Sequence, residues 1–262
     1  MINFAPFYKD IDQRGITHKK LKKRIGKVDY RKNLKILYES FKLFNPNNNF
    51  IIQTDNTTEL PYTCNRSDLS EFNLMESLIV ANLDYVKNHV GKSILVGVDN
   101  VVLNSVDTLF DEEFDLGFYC LGEKNDDEKF NLSNGVVLVN SNNSTHDQIV
   151  NFFNERHKIY QGYDKKYKSW WGDMLSLNHL VSRKNIIEEF YASGKQKKIY
   201  DFDGLKIKIF EVNKDYYKWV DSTGSYKKDD SDVILDFPGD NSVKQHAEII
   251  LNKLKEETTS RS

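Results

Sequence analysis

Only two cysteines, Cys64 and Cys120, occur in this chain of 262 residues, and neither belongs to a metal-type or redox-type spacing. A disulfide framework is therefore excluded, and a reducing compartment is the natural reading. Proline is scarce, at four residues, and no stretch rich in proline, glycine or serine marks a linker. No apolar run approaches the roughly 20 residues needed to cross a bilayer. The first residues, Met1-Ile2-Asn3-Phe4-Ala5-Pro6, carry no charged region followed by an apolar core, so no signal peptide is expected and the chain reads as cytoplasmic. Net charge is also small, at −2, so there is no global signature of nucleic-acid binding.

What is abundant is aromatic surface and alternating pattern. Aromatic residues make up 13% of the chain, enough to fill a large core and to stack on a base or a sugar. Ile2 to Tyr8 reads as a strand, and Arg31 to Phe44 carries apolar residues at Leu34, Leu37, Tyr38, Phe41 and Phe44, which is helical spacing. Phe50 to Thr54 is a second strand. This order predicts a parallel, right-handed crossover. A helix over Ser70 to Val90 leads to a buried strand at Ile94 to Val98. Strands over Phe114 to Leu121 and Gly135 to Asn140 follow, then helices over Thr145 to Tyr160 and Gly172 to Val181. Shorter strands lie near Ile199-Tyr200, Leu205 to Phe210 and Val233 to Phe237, and a helix over Ser242 to Glu256 closes the chain. The pattern predicts one α/β domain. One cluster stands apart: Lys19, Lys20, Lys22, Lys23, Arg24, Lys27, Arg31, Lys32 and Lys35 form a basic block, either a solvated face or a patch for an anionic partner.

In an open parallel sheet, ligands bind beyond the carboxyl ends of the strands. Asp99 caps the apolar run Ile94-Leu95-Val96-Gly97-Val98, where a rigidly held carboxylate can take a divalent cation or can simply form a turn with Asn100. By the same topology, Tyr8 at the end of the first strand and Asp55 at the end of the second reach that edge.

The run from Ile94 to Phe110, followed by Phe114-Asp115-Leu116-Gly117-Phe118, resembles the metal-binding strand of the GT-A nucleotide-diphospho-sugar transferases of the glycogenin-like, Asp-x-Asp type. Aligning Leu109-Phe110 with that family's Leu-Phe pair puts Asp99 on the second aspartate and Gly97 on the first, so the motif here is Gly-Val-Asp. Three further segments match in order. Asn134-Gly135-Val136-Val137 resembles the Asn-x-Gly-Val segment lining the sugar site, with Gly135 allowing close approach of the backbone. Trp170-Trp171-Gly172-Asp173-Met174 resembles the Trp-Gly-Asp-Gln segment. Asp236-Phe237-Pro238-Gly239, followed by Lys244, resembles the C-terminal His-Phe-x-Gly segment.

The resemblance implies a single GT-A, Rossmann-like domain over 1–256, with a frayed tail at 257–262. Its central sheet would be mostly parallel and flanked by helices, with a smaller mixed C-terminal part. The nucleotide-binding half would span about 1–110 and the acceptor half about 111–256. It implies metal-dependent transfer of a sugar from a nucleotide-diphosphate donor, a UDP-sugar among the candidates, to a hydroxyl of a glycan, glycolipid or protein acceptor. No nucleic acid is expected as a partner, and contact with a membrane would be peripheral.

Asp99 and Asp236 would hold Mn²⁺ or Mg²⁺. Tyr8, Asp55, Gly97, Gly239 and Lys244 would bind the nucleotide, with His246 a weaker neighbour. Asn134, Gly135, Trp170 and Trp171 would face sugar or acceptor. Asp173 would be the catalytic carboxylate, a general base if the reaction inverts or a stabiliser of positive charge if it retains. Two other readings remain open. One is a binding protein with a degenerate site for a nucleotide sugar or nucleic acid. The other is a sugar nucleotidyltransferase, which the absence of a glycine-rich phosphate loop in Ala5-Pro6-Phe7-Tyr8-Lys9-Asp10 disfavours.

Overall fold

The computed structural model describes residues 1–10, 29–121, 131–168, 171–220, 229–237 and 241–259, with the backbone alone for 241–245. The first strand, β1 (Ile2–Pro6), is almost wholly buried, as a near-continuous apolar run requires. Helix α1 (Tyr30–Phe44) begins where the Asp29 side chain accepts a bond from the Lys32 amide. The expected strand at Phe50 to Thr54 divides into β2 (Asn49–Phe50) and β3 (Ile52–Asp55). β2 pairs in parallel with β1, as the crossover predicts, while β3 pairs in parallel with β4 (Cys64–Ser67), a strand too polar to be legible in the sequence.

Helix α2 (Leu74–Asn88) is capped by Asn73, whose side chain accepts from the amides of Met75 and Glu76. After it come β5 (Lys92–Val96), β6 (Asn100–Val102), a 3₁₀ turn at Asp107–Phe110, β7 (Leu116–Cys120) and β8 (Leu132–Asn140). Helices α3 (His146–Gln161), α4 (Gly172–Ser182) and α5 (Ile186–Ala192) follow. The chain continues through β9 (Ile199–Phe202), β10 (Leu205–Glu211), β11 (Tyr217–Trp219) and β12 (Ile234–Asp236) to α6 (Asn241–Thr259). The last helix thus runs to Thr259, beyond the expected end at Glu256.

The central sheet has seven strands in the order β2-β1-β5-β8-β7-β10-β9. It is more mixed than the mostly parallel sheet expected: β8 enters antiparallel to both β5 and β7, and β9 is antiparallel to β10. The cause is local, because β8 leads into α3 and returns no crossover between β7 and itself. Since β7 and β10 again run with β1 and β5, the carboxyl ends of these four strands share one edge with the start of β8.

Alternation along the strands feeds two cores. Ala5, Leu95, Phe118 and Val137 face α2, α3, α4 and α5, whereas Phe4, Ile94, Val96 and Leu138 face α1. A third cluster joins Ile36 of α1 and Ala247, Leu251 and Leu254 of α6 to Val101 and Leu235 of the small sheet β11-β12-β6. Of the basic block, Lys19 to Lys27 lie outside the described residues. The described members pair with carboxylates: Arg31 with Asp10, Lys32 with Glu248 and Lys35 with Glu39.

Phe118 of β7 is fully buried and its ring stacks on Phe152 of α3 at 5.6 Å. Phe118→Ala is expected to cost about 3–5 kcal/mol, through lost transfer energy and a residual cavity. Urea denaturation followed by circular dichroism measures it.

Candidate functional site

Two strand ends and a closing strand build the site. β5 ends at Val96, and the chain turns through Gly97, Val98 and half-buried Asp99 into β6. β12 returns from the far end of the chain and pairs antiparallel with β6, setting Asp236 opposite Asn100. Beyond that pair, the Phe237 amide donates to the Asp99 carbonyl at 2.9 Å. The backbones of Asp99 and Asp236, distant in sequence, are therefore neighbours at one corner.

Two glycines meet at this corner. The β5–β8 register runs from Lys92↔Asn140 to Val96↔Val136, and the Gly97 amide extends it by donating to the Gly135 carbonyl at 3.3 Å. Residues directly opposed on antiparallel strands project to the same face. One carboxylate lies beside each glycine: a Cβ at Gly97 would lie 2.8 Å from Asp99 Oδ1, and one at Gly135 would lie 3.1 Å from Asp236 Oδ2.

The β7–β8 register also shifts, from Phe118↔Val137 to Tyr119↔Ser133, so Asn134, Gly135 and Val136 bulge out of the ladder. Bulges of this kind re-aim side chains beside active sites. Here the bulge sends Asn134 toward α4, where its Nδ2 donates to Asp173 Oδ2 at 2.8 Å. Asp173 is thus bonded to Asn134, whose neighbour Gly135 lies beside Asp236.

Asp173 itself is buried in the first turn of α4, where the helix dipole favours a carboxylate. Its carbonyl accepts from Ser176 Oγ at 2.9 Å and from Arg156 Nη2 at 3.0 Å. Arg156 is fully buried, and burial pulls its guanidinium down to about 10, against the opposing pull of the Asp173 charge. Arg156 escaped the sequence reading, yet a signal existed: it occupies the apolar stripe of α3 with Ile149, Phe152, Phe153, Ile159 and Tyr160.

Gly172 is required by packing, since a Cβ there would sit 2.5 Å from the Tyr167 carbonyl and 2.8 Å from the Tyr160 ring. Just before it, Trp171 has φ of 83° and is 49% exposed, so its ring stands at the surface rather than in the core. Trp170 and Gly239 lie outside the described residues, as does the side chain of Lys244.

Tyr8 and Asp55 share the strand-end edge but are engaged locally. The Tyr8 hydroxyl donates to Asp10 Oδ1 at 2.7 Å, and burial, then Asp10, pushes it up to about 12. Asp55 Oδ1 accepts from the amides of Thr57 and Thr58, at 3.2 and 2.7 Å. Burial raises the Asp55 carboxyl, but the bonds from Thr58 and Thr57 outweigh it and hold it below the usual range.

A second residue missed in the sequence is Tyr217. Its hydroxyl donates to Asp236 Oδ2 at 2.5 Å and accepts from Trp219 Nε1 at 3.0 Å. Burial, reinforced by the Asp236 charge, pushes this hydroxyl well above the usual tyrosine range. A Cβ at Gly135 would lie only 2.3 Å from Tyr217 Oη. The room at Gly135, expected to admit a ligand, therefore first admits this hydroxyl.

Gly135→Ala is expected to destabilise the ligand-free protein by about 1–3 kcal/mol through overpacking. Tyr217→Phe removes the colliding oxygen, so the double variant should recover part of that loss. Urea unfolding of both single variants and the double variant yields the coupling, about 0.5–3 kcal/mol.

No family model matches the chain, and neither does any curated protein. Among solved structures, the chain is similar to the galactosyltransferase LgtC. An active-site mutant of LgtC, and LgtC in complex with donor and acceptor sugar analogues, each superpose with a TM-score of 0.57 at 13% identity. Each match covers 97% of this chain and 95% of that one. A glycosyltransferase involved in glycosylation of the major capsid of PBCV-1 has a TM-score of 0.48 at 8% identity, over 95% of this chain and 98% of that one. The α/β order, the sheet and the match to LgtC over nearly the full chain give one conclusion about architecture: this protein has the GT-A glycosyltransferase fold.

Proposed function

We propose that this chain transfers a sugar from a nucleotide-diphosphate donor to an acceptor hydroxyl, with a divalent cation at Asp99 and Asp236. The observation that carries the proposal is that the β6–β12 pairing makes Asp99 and Asp236 backbone neighbours, with Gly97 beside the first, Gly135 beside the second, and Asp173 bonded to Asn134 next to Gly135. LgtC, which shares the fold, has been solved with donor and acceptor sugar analogues bound, and this supports the same substrate classes here.

The donor set suits Mg²⁺ or Mn²⁺, which take hard oxygen ligands. Among the described residues no group of three or more His, Cys, Asp or Glu could hold a metal. Two carboxylates would therefore bind it, with the donor's phosphates and water completing the shell. When bound, the cation would offset the charge of the departing diphosphate.

The protein's own groups do the rest. Asn134 orients the Asp173 carboxylate, and Arg156 and Ser176 fix the turn that carries it. Asp173 would stand beside the reacting centre, where a preset geometry lowers the barrier more than a mobile group could. Exposed Trp171 would offer an apolar face to a sugar ring. Tyr8 and Asp55, at the ends of β1 and β3, would meet the nucleotide, as would Gly239 and Lys244, which follow Asp236 in the chain. UDP-sugars are the first donors to test, and glycans, glycolipids and proteins are the acceptor classes. No described helix is long and apolar enough to span a membrane.

A donor screen tests the proposal. UDP-, GDP- and CMP-sugars are added with Mn²⁺ or Mg²⁺, and thermal shift and sugar hydrolysis are read. A matching donor at 100 times its Kd should stabilise the fold by about 2.7 kcal/mol. Asp99→Ala should abolish the metal-dependent shift while keeping the ligand-free melting curve, and Asp236→Ala should weaken it. Wild-type donor affinity and metal dependence in Asp99→Ala would contradict the assignment. Asp173→Ala should lower turnover far more than donor binding, as steady-state kinetics beside calorimetric titration would reveal.

A further inference from the structure

Tyr217 occupies a position that ordinary core packing does not explain. Its ring is fully buried, lies 4.8 Å from that of Tyr119, and Tyr119 in turn stacks on Phe210 at 5.0 Å. A phenylalanine would fill the same space with no polar atom to satisfy. Instead the hydroxyl sits between Trp219 Nε1 and Asp236 Oδ2, with the Ser133 hydroxyl also beside it.

The direction of that chain is determined by chemistry. An indole N–H only donates and an ionised carboxylate only accepts, so the tyrosine proton must point at Asp236. The backbone builds the arrangement: β11 and β12 are parallel neighbours, with Tyr217 registered on Ile234 and Trp219 on Asp236. Gly135 supplies the remaining room, since any larger residue there would meet both Tyr217 Oη and Asp236 Oδ2. Three segments distant in sequence are thus adapted to one hydrogen bond.

We propose that Tyr217 is the positioning residue of the carboxylate Asp236, fixing Oδ2 so that the carboxylate meets the cation in one orientation, with Trp219 setting the direction of the hydroxyl. The proposal rests on the metal reading of Asp99 and Asp236 given above. A site with two protein carboxylates depends more on the aim of each than a site with four. Outer partners that orient a metal ligand commonly contribute 10–100-fold to affinity, in about that range.

The test uses the full chain and Mn²⁺ as probe, titrated alone and with UDP, with unbound Mn²⁺ read by electron paramagnetic resonance. Tyr217→Phe is expected to weaken Mn²⁺ binding by about 10-fold or more. In the Asp236→Ala background the same change should have no further effect, because Tyr217 acts only through that carboxylate. A merely structural role would give additive losses in the double variant and overturns the proposal. So does wild-type Mn²⁺ affinity in Tyr217→Phe while Asp236→Ala binds weakly, an outcome that leaves the metal reading standing. Unchanged Mn²⁺ binding in both Asp99→Ala and Asp236→Ala, or none by the wild type with or without UDP, removes the metal reading itself and the proposal with it. Should Tyr217→Phe lose its cooperative unfolding, Trp219→Phe carries the test: it keeps the hydroxyl, removes its donor, and should give a smaller loss that also vanishes in the Asp236→Ala background.

Discussion

Antiparallel pairing of Ile234–Asp236 with Asn100–Val102 is the constraint on which the rest depends. Three residues on each side supply few hydrogen bonds, and their net worth against water is modest, about 0.5–1.5 kcal/mol each. Closing so long a loop costs several times less than its length suggests, because the entropy grows only logarithmically. What holds the pairing is burial: Val101 and Leu235 lie under α6 and α1, beside Leu251, Leu254 and Ile36. The closing helix is therefore part of the site's foundation. It covers the small sheet, and the small sheet sets the Asp236 backbone beside that of Asp99.

Glycine has a double meaning at this corner. At Gly97 and Gly135 the missing side chains leave space, and that space is used first by the protein's own oxygens: Asp99 Oδ1 at one, Tyr217 Oη and Asp236 Oδ2 at the other. A carboxylate at position 97 would compete with Asp99 for the same volume and add like charge beside it. The Gly-Val-Asp sequence and the position of Asp99 are thus mutually consistent, and the single aspartate of that strand end is placed by the glycine two residues before it. The bulge in β8 completes the arrangement by turning Asn134 away from the ladder and onto Asp173.

Much of this was legible in the sequence, for identifiable reasons. Long amphipathic helices such as α1 and α3 announce themselves by periodicity, and apolar strands such as β5 and β8 by burial on both faces. β4, with Asn65 and Arg66 at its centre, and β11, with three residues, carry no such pattern; tertiary pairing alone makes them strands. Of the residues quoted for the site, Asn134 and Asp173 are hydrogen-bonded to each other and Gly135 lies beside Asp236, because strand ends and a helix start are fixed by topology. Arg156 and Tyr217 did not surface because each acts from a segment read as core. An arginine inside an apolar stripe is the visible anomaly; a tyrosine among aromatics is none, and only the Asp236 partner distinguishes it. The mixed sheet was hidden for a related reason, as strand direction depends on connections and leaves no mark on the strand's own composition.

A site with two protein carboxylates has a consequence for how metal and donor would bind. A cation with hard-ligand preference and most of its shell open is held weakly by the protein alone, and phosphate oxygens complete it. A nucleotide-diphosphate donor would bring further negative charge beside Asp99 and Asp236, which would disfavour it without a cation. Each ligand therefore removes the other's penalty, and thermodynamic linkage makes the benefit reciprocal: whatever factor the cation adds to donor affinity, the donor adds to cation affinity. On the proposed reading, dependence on metal and dependence on nucleotide are two measurements of a single coupling. Its size is set by how firmly the two carboxylates are aimed, which returns the question to the glycine pair and the tyrosine beside it.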